Sequence, residues 1–274
     1  MTATIDRQAI REALDGPGIT ALRGAFPAQW ADRLRADIER EFTSARAREG
    51  GAVGRGHNRW YVEVHPEAIA GFVDIVSHPW FVAVCDEVLG ADYRIVEIGF
   101  DIPFPGARDQ PWHRDFPAPP ETTGQHRLTS LAFNLTAVDT AEDMGPFEIA
   151  PGTQWDDHPD FDHGMFPPQW HYPRYEQLAE RKYPRRGDIS ARSALTIHRG
   201  TASSGTSARP VLVVGVDAPG AGHDEFHDLQ VTRGFQDALL TQVRNHLAAR
   251  VVDELTPIVQ QHTIEGLVMG DAEE

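Results

Sequence analysis

Cysteine is almost absent: Cys85 stands alone in 274 residues. One thiol closes no internal disulfide, so the fold must rest on packing and hydrogen bonding, as is usual in a reducing compartment. Its setting, "WFVAVCDEVLG", is apolar and helix-like, which fits a small buried hydrophobe better than a nucleophile. Positive charge is also scarce. Lys+Arg total 25 against 41 Asp+Glu, a formal net charge of -16. Such a surface repels phosphate backbones and anionic headgroups, so neither nucleic acid nor membrane is expected as a partner. No apolar run approaches the roughly 20 residues of a membrane span. The opening "MTATIDRQAIREALDG" lacks the basic-then-apolar pattern of a secretory leader. The expectation is a cytoplasmic protein acting on a small molecule; nothing in the pattern sets an oligomeric state.

Hydrophobic residues make up 41% of the chain, enough for a sizeable core, and no repeat or linker divides it, so 1–274 reads as a single domain. Residues from about 1 to 90 read as a helical layer. In "IDRQAIREALDG", Ile5, Ala9, Ile10 and Leu14 recur near a 3.6 period, and Gly16 ends the run. "PAQWADRLRADIEREFTSARAR" repeats this with Trp30, Leu34, Ile38 and Phe42 behind Pro27, and a third helix spans 79–89 before Gly90. The pattern then changes to short β-branched runs at 93–104, 128–138, 145–152, 188–198 and 209–218, broken by Pro, Gly and Asp. Strands without helical crossovers argue for an antiparallel sandwich or barrel over about 91–220. The aromatic, proline-rich stretch 156–186 is long for a connection and reads as a lid or binding loop. A last helix is expected over about 233–256, and a frayed tail after it.

Within "QPWHRDFPAPP" stand His113 and Asp115, one residue apart. His-x-acid pairs carry little information alone: His158/Asp160, His65/Glu67 and His223/Glu225 share the spacing. On extended backbone, residues i and i+2 face the same side, so a histidine and a carboxylate there can converge on one ion. Context favours His113/Asp115, which follows a strand in a segment able to pair. His158/Asp160 and His65/Glu67 enclose prolines, and His223/Glu225 lies in a polar stretch. Farther on, "ALTIHRGTASSGTSARPVLVVGV" places His198 at the end of an apolar run and Arg209 at the start of the next. An arginine opening a buried strand implies an anion to meet. Two histidines and one carboxylate on one face form the facial triad of non-haem iron sites, with positions left open.

Together these pieces resemble the phytanoyl-CoA dioxygenase-like family of Fe(II)/2-oxoglutarate oxygenases. "DGPGITALRGAFPAQWADRLRADIE" is similar to its opening strand and helix, "HPWFVAVCDEVLGADYRI" to the helix before its first core strand, "MGPFEIAPGTQW" to its Gly-Pro…Pro-Gly stretch, and "HRGTASSGTSARP" to its closing His-to-Arg segment. The likeness runs from about Gly16 to Ala218. It implies a mainly β protein with flanking α-helices and a double-stranded β-helix (jelly-roll, cupin-like) core. It further implies iron on His113, Asp115 and His198, with 2-oxoglutarate held by Arg209 and O₂ at an open metal position. Halogenating members lack the acidic ligand; Asp115 is present, so hydroxylation with release of succinate and CO₂ is the expected reaction. Thr129, Asn134 and Thr201 are further candidates to hold 2-oxoglutarate. Arg59 and Tyr61 in "GRGHNRWYVEVHPE", Trp112 and Arg114 beside His113, and Trp170 in the supposed lid are candidate substrate contacts. A cupin-type isomerase or hydrolase would use the same metal as a Lewis acid and need neither Arg209 nor 2-oxoglutarate.

Overall fold

The computed structural model describes residues 5–260. Helices α1 (Arg7–Asp15), α2 (Ala28–Arg46), α3 (Phe72–Val76) and α4 (Pro79–Val88) precede the long strand β4 (Arg94–Pro103). They are interleaved with β1 (Ile19–Leu22), β2 (Val53–Gly54) and β3 (Arg59–Glu63). Then come α5 (Pro120–Gln125), β5 (Ser130–Thr136), β6 (Phe147–Ile149), α6 (Tyr172–Leu178), β7 (Glu180–Lys182), β8 (Ile189–Ser193), β9 (His198–Gly200) and β10 (Val211–Asp217). The chain closes with β11 (Gln230–Thr232), α7 (Arg233–Ala238), α8 (Thr241–His246) and β12 (Arg250–Val252).

The described strands form two antiparallel sheets, a large one in the order β1-β8-β5-β10-β4-β3-β2 and a small one, β7-β6-β9, with β11 and β12 as a separate parallel pair. This is an open jelly-roll with helices on one side and no closed barrel. Alternation along the strands explains the layers. In β4, Ile98, Phe100 and Ile102 turn to the helices, while Glu97 and Asp101 turn to the space between the sheets. The helix-side layer is the main core, where Phe81 meets Phe133 at 4.1 Å between ring centroids and Phe26 stacks on Trp30 at the same separation. Cys85 lies in this layer, fully buried, and burial pushes its thiol well above the usual range. A smaller cluster of Trp112, Ala150, Phe161, Tyr175 and Ile197 sits apart from it.

The N-terminal region is less helical than its sequence suggests. It supplies β1, β2 and β3 to the large sheet, and β3 occupies residues assigned above to the helical layer. Pairing of Tyr61 with Asp101 and Glu63 with Gly99 makes the "RWYVE" run a strand, an interaction invisible in local propensity. The expected strand 188–198 is two strands with a turn between them, so His198 begins β9 instead of ending the previous run. The expected C-terminal helix is broken into α7, α8 and β12. Leu239 is extended (φ -68°, ψ 142°), Leu247 bridges Ile95, and Val251 pairs in parallel with Val231. Tertiary pairing of β-branched residues has overridden a helical period. The tail lies outside the described residues. No helix among the described residues is long and apolar enough to cross a membrane.

Candidate functional site

Backbone pairing brings the two distant histidines together. His113 N–H donates to His198 O at 2.9 Å and His198 N–H donates back at 2.8 Å, a single antiparallel bridge between His113, outside the strands, and the first residue of β9. Their rings lie 4.4 Å apart. Next along the chain, Asp115 N–H donates to Ala194 O at 2.9 Å, which turns its carboxylate to the same place. His113, Asp115 and His198 offer ligand atoms that all lie within 4.8 Å of one another, a group that could hold a metal ion.

The tautomers suit that purpose. His113 Nδ1 lies 2.8 Å from Pro111 O and His198 Nδ1 lies 2.9 Å from Thr196 O. A carbonyl accepts only, so each Nδ1 carries the proton and each Nε2 is left with a free lone pair. Burial pushes His113 down to about 4 and His198 well below its ordinary value, so both stay neutral near pH 7. For Asp115, burial acts upward, but the charge of Arg192 and its hydrogen bond act against it, and the carboxyl is held down to about 2. Arg192 Nη1 donates to Asp115 Oδ2 at 2.6 Å, leaving Oδ1 3.4 Å from His198 Nε2. The set is two neutral imidazoles and one fixed carboxylate oxygen, the donors of a facial-triad iron site.

The triad opens onto a cavity of about 960 Å³ between the two sheets. Arg209 reaches the same cavity, though its backbone precedes β10 by two residues. It is 5% exposed, and its Nε donates to Gly145 O at 3.0 Å. No carboxylate forms a salt bridge with it among the described residues; Asp101 instead pairs with Arg59 at 2.9 Å. Burial, with the like charge of Arg59, pushes Arg209 down to about 10. A buried guanidinium without a counter-ion is costly, and a dicarboxylate beside the metal would supply one.

The remaining candidates divide. Asn134, Arg59, Tyr61 and Arg114 line the cavity. Arg59 is occupied by Asp101 and by Thr201 O, so it braces the wall more than it awaits a ligand. Arg114 is committed too: its Nε and Nη1 donate to Gly164 O and Asp156 O, pinning the 156–166 loop. Thr129 and Thr201 are buried away from the cavity lining, and the Thr201 hydroxyl donates to Pro146 O at 2.7 Å. Trp112 is wholly buried in the smaller cluster and Trp170 is 69% exposed; neither forms part of the lining. Their aromatic character suggested contacts, but Trp112 faces opposite to its neighbour His113, as alternation requires. The loop does reach the site through Phe166, stacked on His113 at 5.8 Å, and Met165.

Of the other His-x-acid pairs, His65 serves the scaffold, bound to Thr256 O and Gln230 N–H. His223 holds Asp217. His158 and Asp160 group with His171 at the partly exposed outer side of the loop. Sequence reasoning missed Arg192, although the rule applied to Arg209, an arginine within an apolar strand, would have found it. Glu97 and Asp101 were missed for the same reason, as charged residues inside the run "RIVEIGFDIP".

Comparison with known proteins agrees with this geometry. The family model for phytanoyl-CoA dioxygenase (PhyH) matches residues 14–211, well over half of the chain and inclusive of both histidines and Arg209. The chain belongs to the phytanoyl-CoA dioxygenase family. No curated protein matches it. Among solved structures, the epimerase SnoN in complex with Fe3+, alpha ketoglutarate and nogalamycin RO is 19% identical, with TM-score 0.61 over 78% of this chain and 85% of that one. HygX from Streptomyces hygroscopicus, with nickel and 2-oxoglutarate bound, is 14% identical, with TM-score 0.61 over 88% and 94%. The non-heme alpha ketoglutarate dependent carbocyclase SnoK from nogalamycin biosynthesis is 19% identical, with TM-score 0.61 over 80% and 89%. At these identities the likeness is one of fold, and it places this family member among mainly antiparallel jelly-rolls with flanking helices.

Proposed function

We propose that this chain is an Fe(II)- and 2-oxoglutarate-dependent oxygenase that hydroxylates a small molecule. The observation that carries the reading is the convergence of three candidate metal-ligand side chains and one buried guanidinium, with no salt bridge among the described residues, on a single cavity. His113, Asp115 and His198 would hold the iron, and Arg209 the distal carboxylate of 2-oxoglutarate. When bound, the pair supplies an O₂-dependent oxidation coupled to release of succinate and CO₂. The protein's own part is positional. The carbonyls of Pro111 and Thr196 fix the imidazole tautomers, and Arg192 keeps Asp115 ionised and confined to one ligating oxygen. Phe147 and Phe166 lie against the histidine rings and limit water around them. Arg209 supports 2-oxoglutarate use over a purely Lewis-acidic role, which would leave that cation idle.

Hydroxylation is favoured by Asp115, since an acidic ligand occupies the position a halide would need. An epimerase and a carbocyclase share the fold, so product analysis belongs in the test. Anaerobic titration with Fe(II) and then 2-oxoglutarate should give the weak visible charge-transfer band, absent in His113→Ala and lost on metal removal. Admission of O₂ with a substrate should give succinate and a product heavier by one oxygen. Succinate formation that survives in metal-free protein would overturn the reading.

A further inference from the structure

A second group of ionisable side chains lines the cavity on the large sheet. Glu97 projects inward from β4 and accepts a hydrogen bond from the Tyr61 hydroxyl on β3. Two strand glycines clear space for this pair. A Cβ at Gly215 would stand 2.7 Å from Glu97 Oε2, and one at Gly99 would collide with the Tyr61 hydroxyl. Glycine inside a strand weakens it and marks a place where something must come close; here that is a carboxylate and its phenol.

Asp217 is satisfied by Ser130 and His223, while Glu63 is bound to His227. The charge of His227 also reaches Glu97. Arg55 lies 5.1 Å over the Tyr61 ring and makes no ion pair with Glu97 among the described residues. Burial, with the charges of Glu63 and Asp115 adding to it, pushes the Glu97 carboxyl up. The Asp115 contribution also shows that Glu97 lies within electrostatic reach of the metal triad. Phe116 and the 57% exposed Phe226 add aromatic surface to the same cavity. A carboxylate within an aromatic wall is a setting that attracts an alkylammonium, by ion pairing and by cation–π contact.

We infer that Glu97, positioned by Tyr61, binds a protonated amine of the substrate, which makes the substrate a small amine-bearing molecule. The inference rests on the oxygenase reading for its chemistry but not for its binding site, and the two fail separately.

The probes are benzylammonium and its neutral counterpart benzyl alcohol, titrated calorimetrically into metal-free protein and into protein loaded anaerobically with Fe(II) and 2-oxoglutarate. Benzylammonium should bind at least about ten-fold tighter than the alcohol, as an ion pair worth one decade implies. Glu97→Gln should abolish the preference while the visible band of the loaded protein stays intact. Gly215→Ala, which displaces Glu97 sterically, should weaken benzylammonium without affecting the alcohol. Tyr61→Phe should weaken it by a smaller factor. Equal binding of the two probes, no binding of benzylammonium, or a preference that persists in Glu97→Gln would each overturn the amine site. Failure of the visible band in wild-type protein would overturn the oxygenase reading and leave the calorimetry to decide the amine site by itself.

Discussion

Arg192 Nη1 donates to Asp115 Oδ2 at 2.6 Å, across two elements that the chain separates widely. The contact occupies one carboxylate oxygen, leaves Oδ1 free for a metal, and helps hold the carboxyl ionised. Partners of this kind, one step behind the ligands, are typically worth 10–100-fold in metal affinity. Arg192→Met should therefore weaken Fe(II) or Ni(II) binding by roughly that factor, measured by competition with a coloured chelator. Unchanged affinity would show that Asp115 is oriented without it.

Arg209→Met should have effects of opposite sign in the two states. Without cosubstrate, it removes a buried charge that has no salt bridge among the described residues, so the melting temperature should hold or rise. With cosubstrate, it removes one half of a buried charge pair, which costs about 2–5 kcal/mol, or roughly 30-fold and more in Kd for 2-oxoglutarate. Metal affinity should stay the same. Calorimetry on both states reads the sign reversal directly.

Acid should destabilise the metal-free protein in two steps. His113 ordinarily titrates at 6.5 but is held near 4 when folded, so the unfolded chain binds the proton first. Its contribution is complete above about pH 6.5 and declines as pH falls towards 4, by a few kcal/mol at about 1.4 per unit. Asp115 adds a further loss between 3.8 and about 2, where the unfolded carboxylate again protonates first. Urea unfolding across this range should show the slope, and His113→Asn should flatten its upper part.

The two tryptophans test the placement of the aromatic residues. Trp112→Ala empties a fully buried site and should cost about 3–5 kcal/mol. Trp170→Ala removes an exposed ring and should stay within about 0.5 kcal/mol. Thermal denaturation of the two variants suffices, with 2-oxoglutarate affinity of Trp170→Ala expected to match the parent.

Much of the core was readable because alternation in "LTSLAFNLTAV" and "RPVLVVGVDA" is local and both faces of these strands are buried. The grouping of His113, Asp115 and His198, and the place of Arg209 beside them, were readable because these residues sit in short segments of distinctive chemistry. What escaped depends on pairing between distant segments. Strand β3 exists through its register with β4, and the broken C-terminal helix follows from Leu247 meeting Ile95 and Val251 meeting Val231. Charged residues on the inner strand faces escaped because one-dimensional patterning reads a glutamate at Glu97 as facing solvent when it faces an internal cavity.

Arg114 stands between two of the triad residues and holds the carbonyls of Gly164 and Asp156. Its neighbours His113 and Asp115 share its backbone, so a tug on the overlying loop is a tug on the coordination sphere. A displacement of that loop would therefore be carried by one side chain into the backbone between two of the three candidate metal ligands.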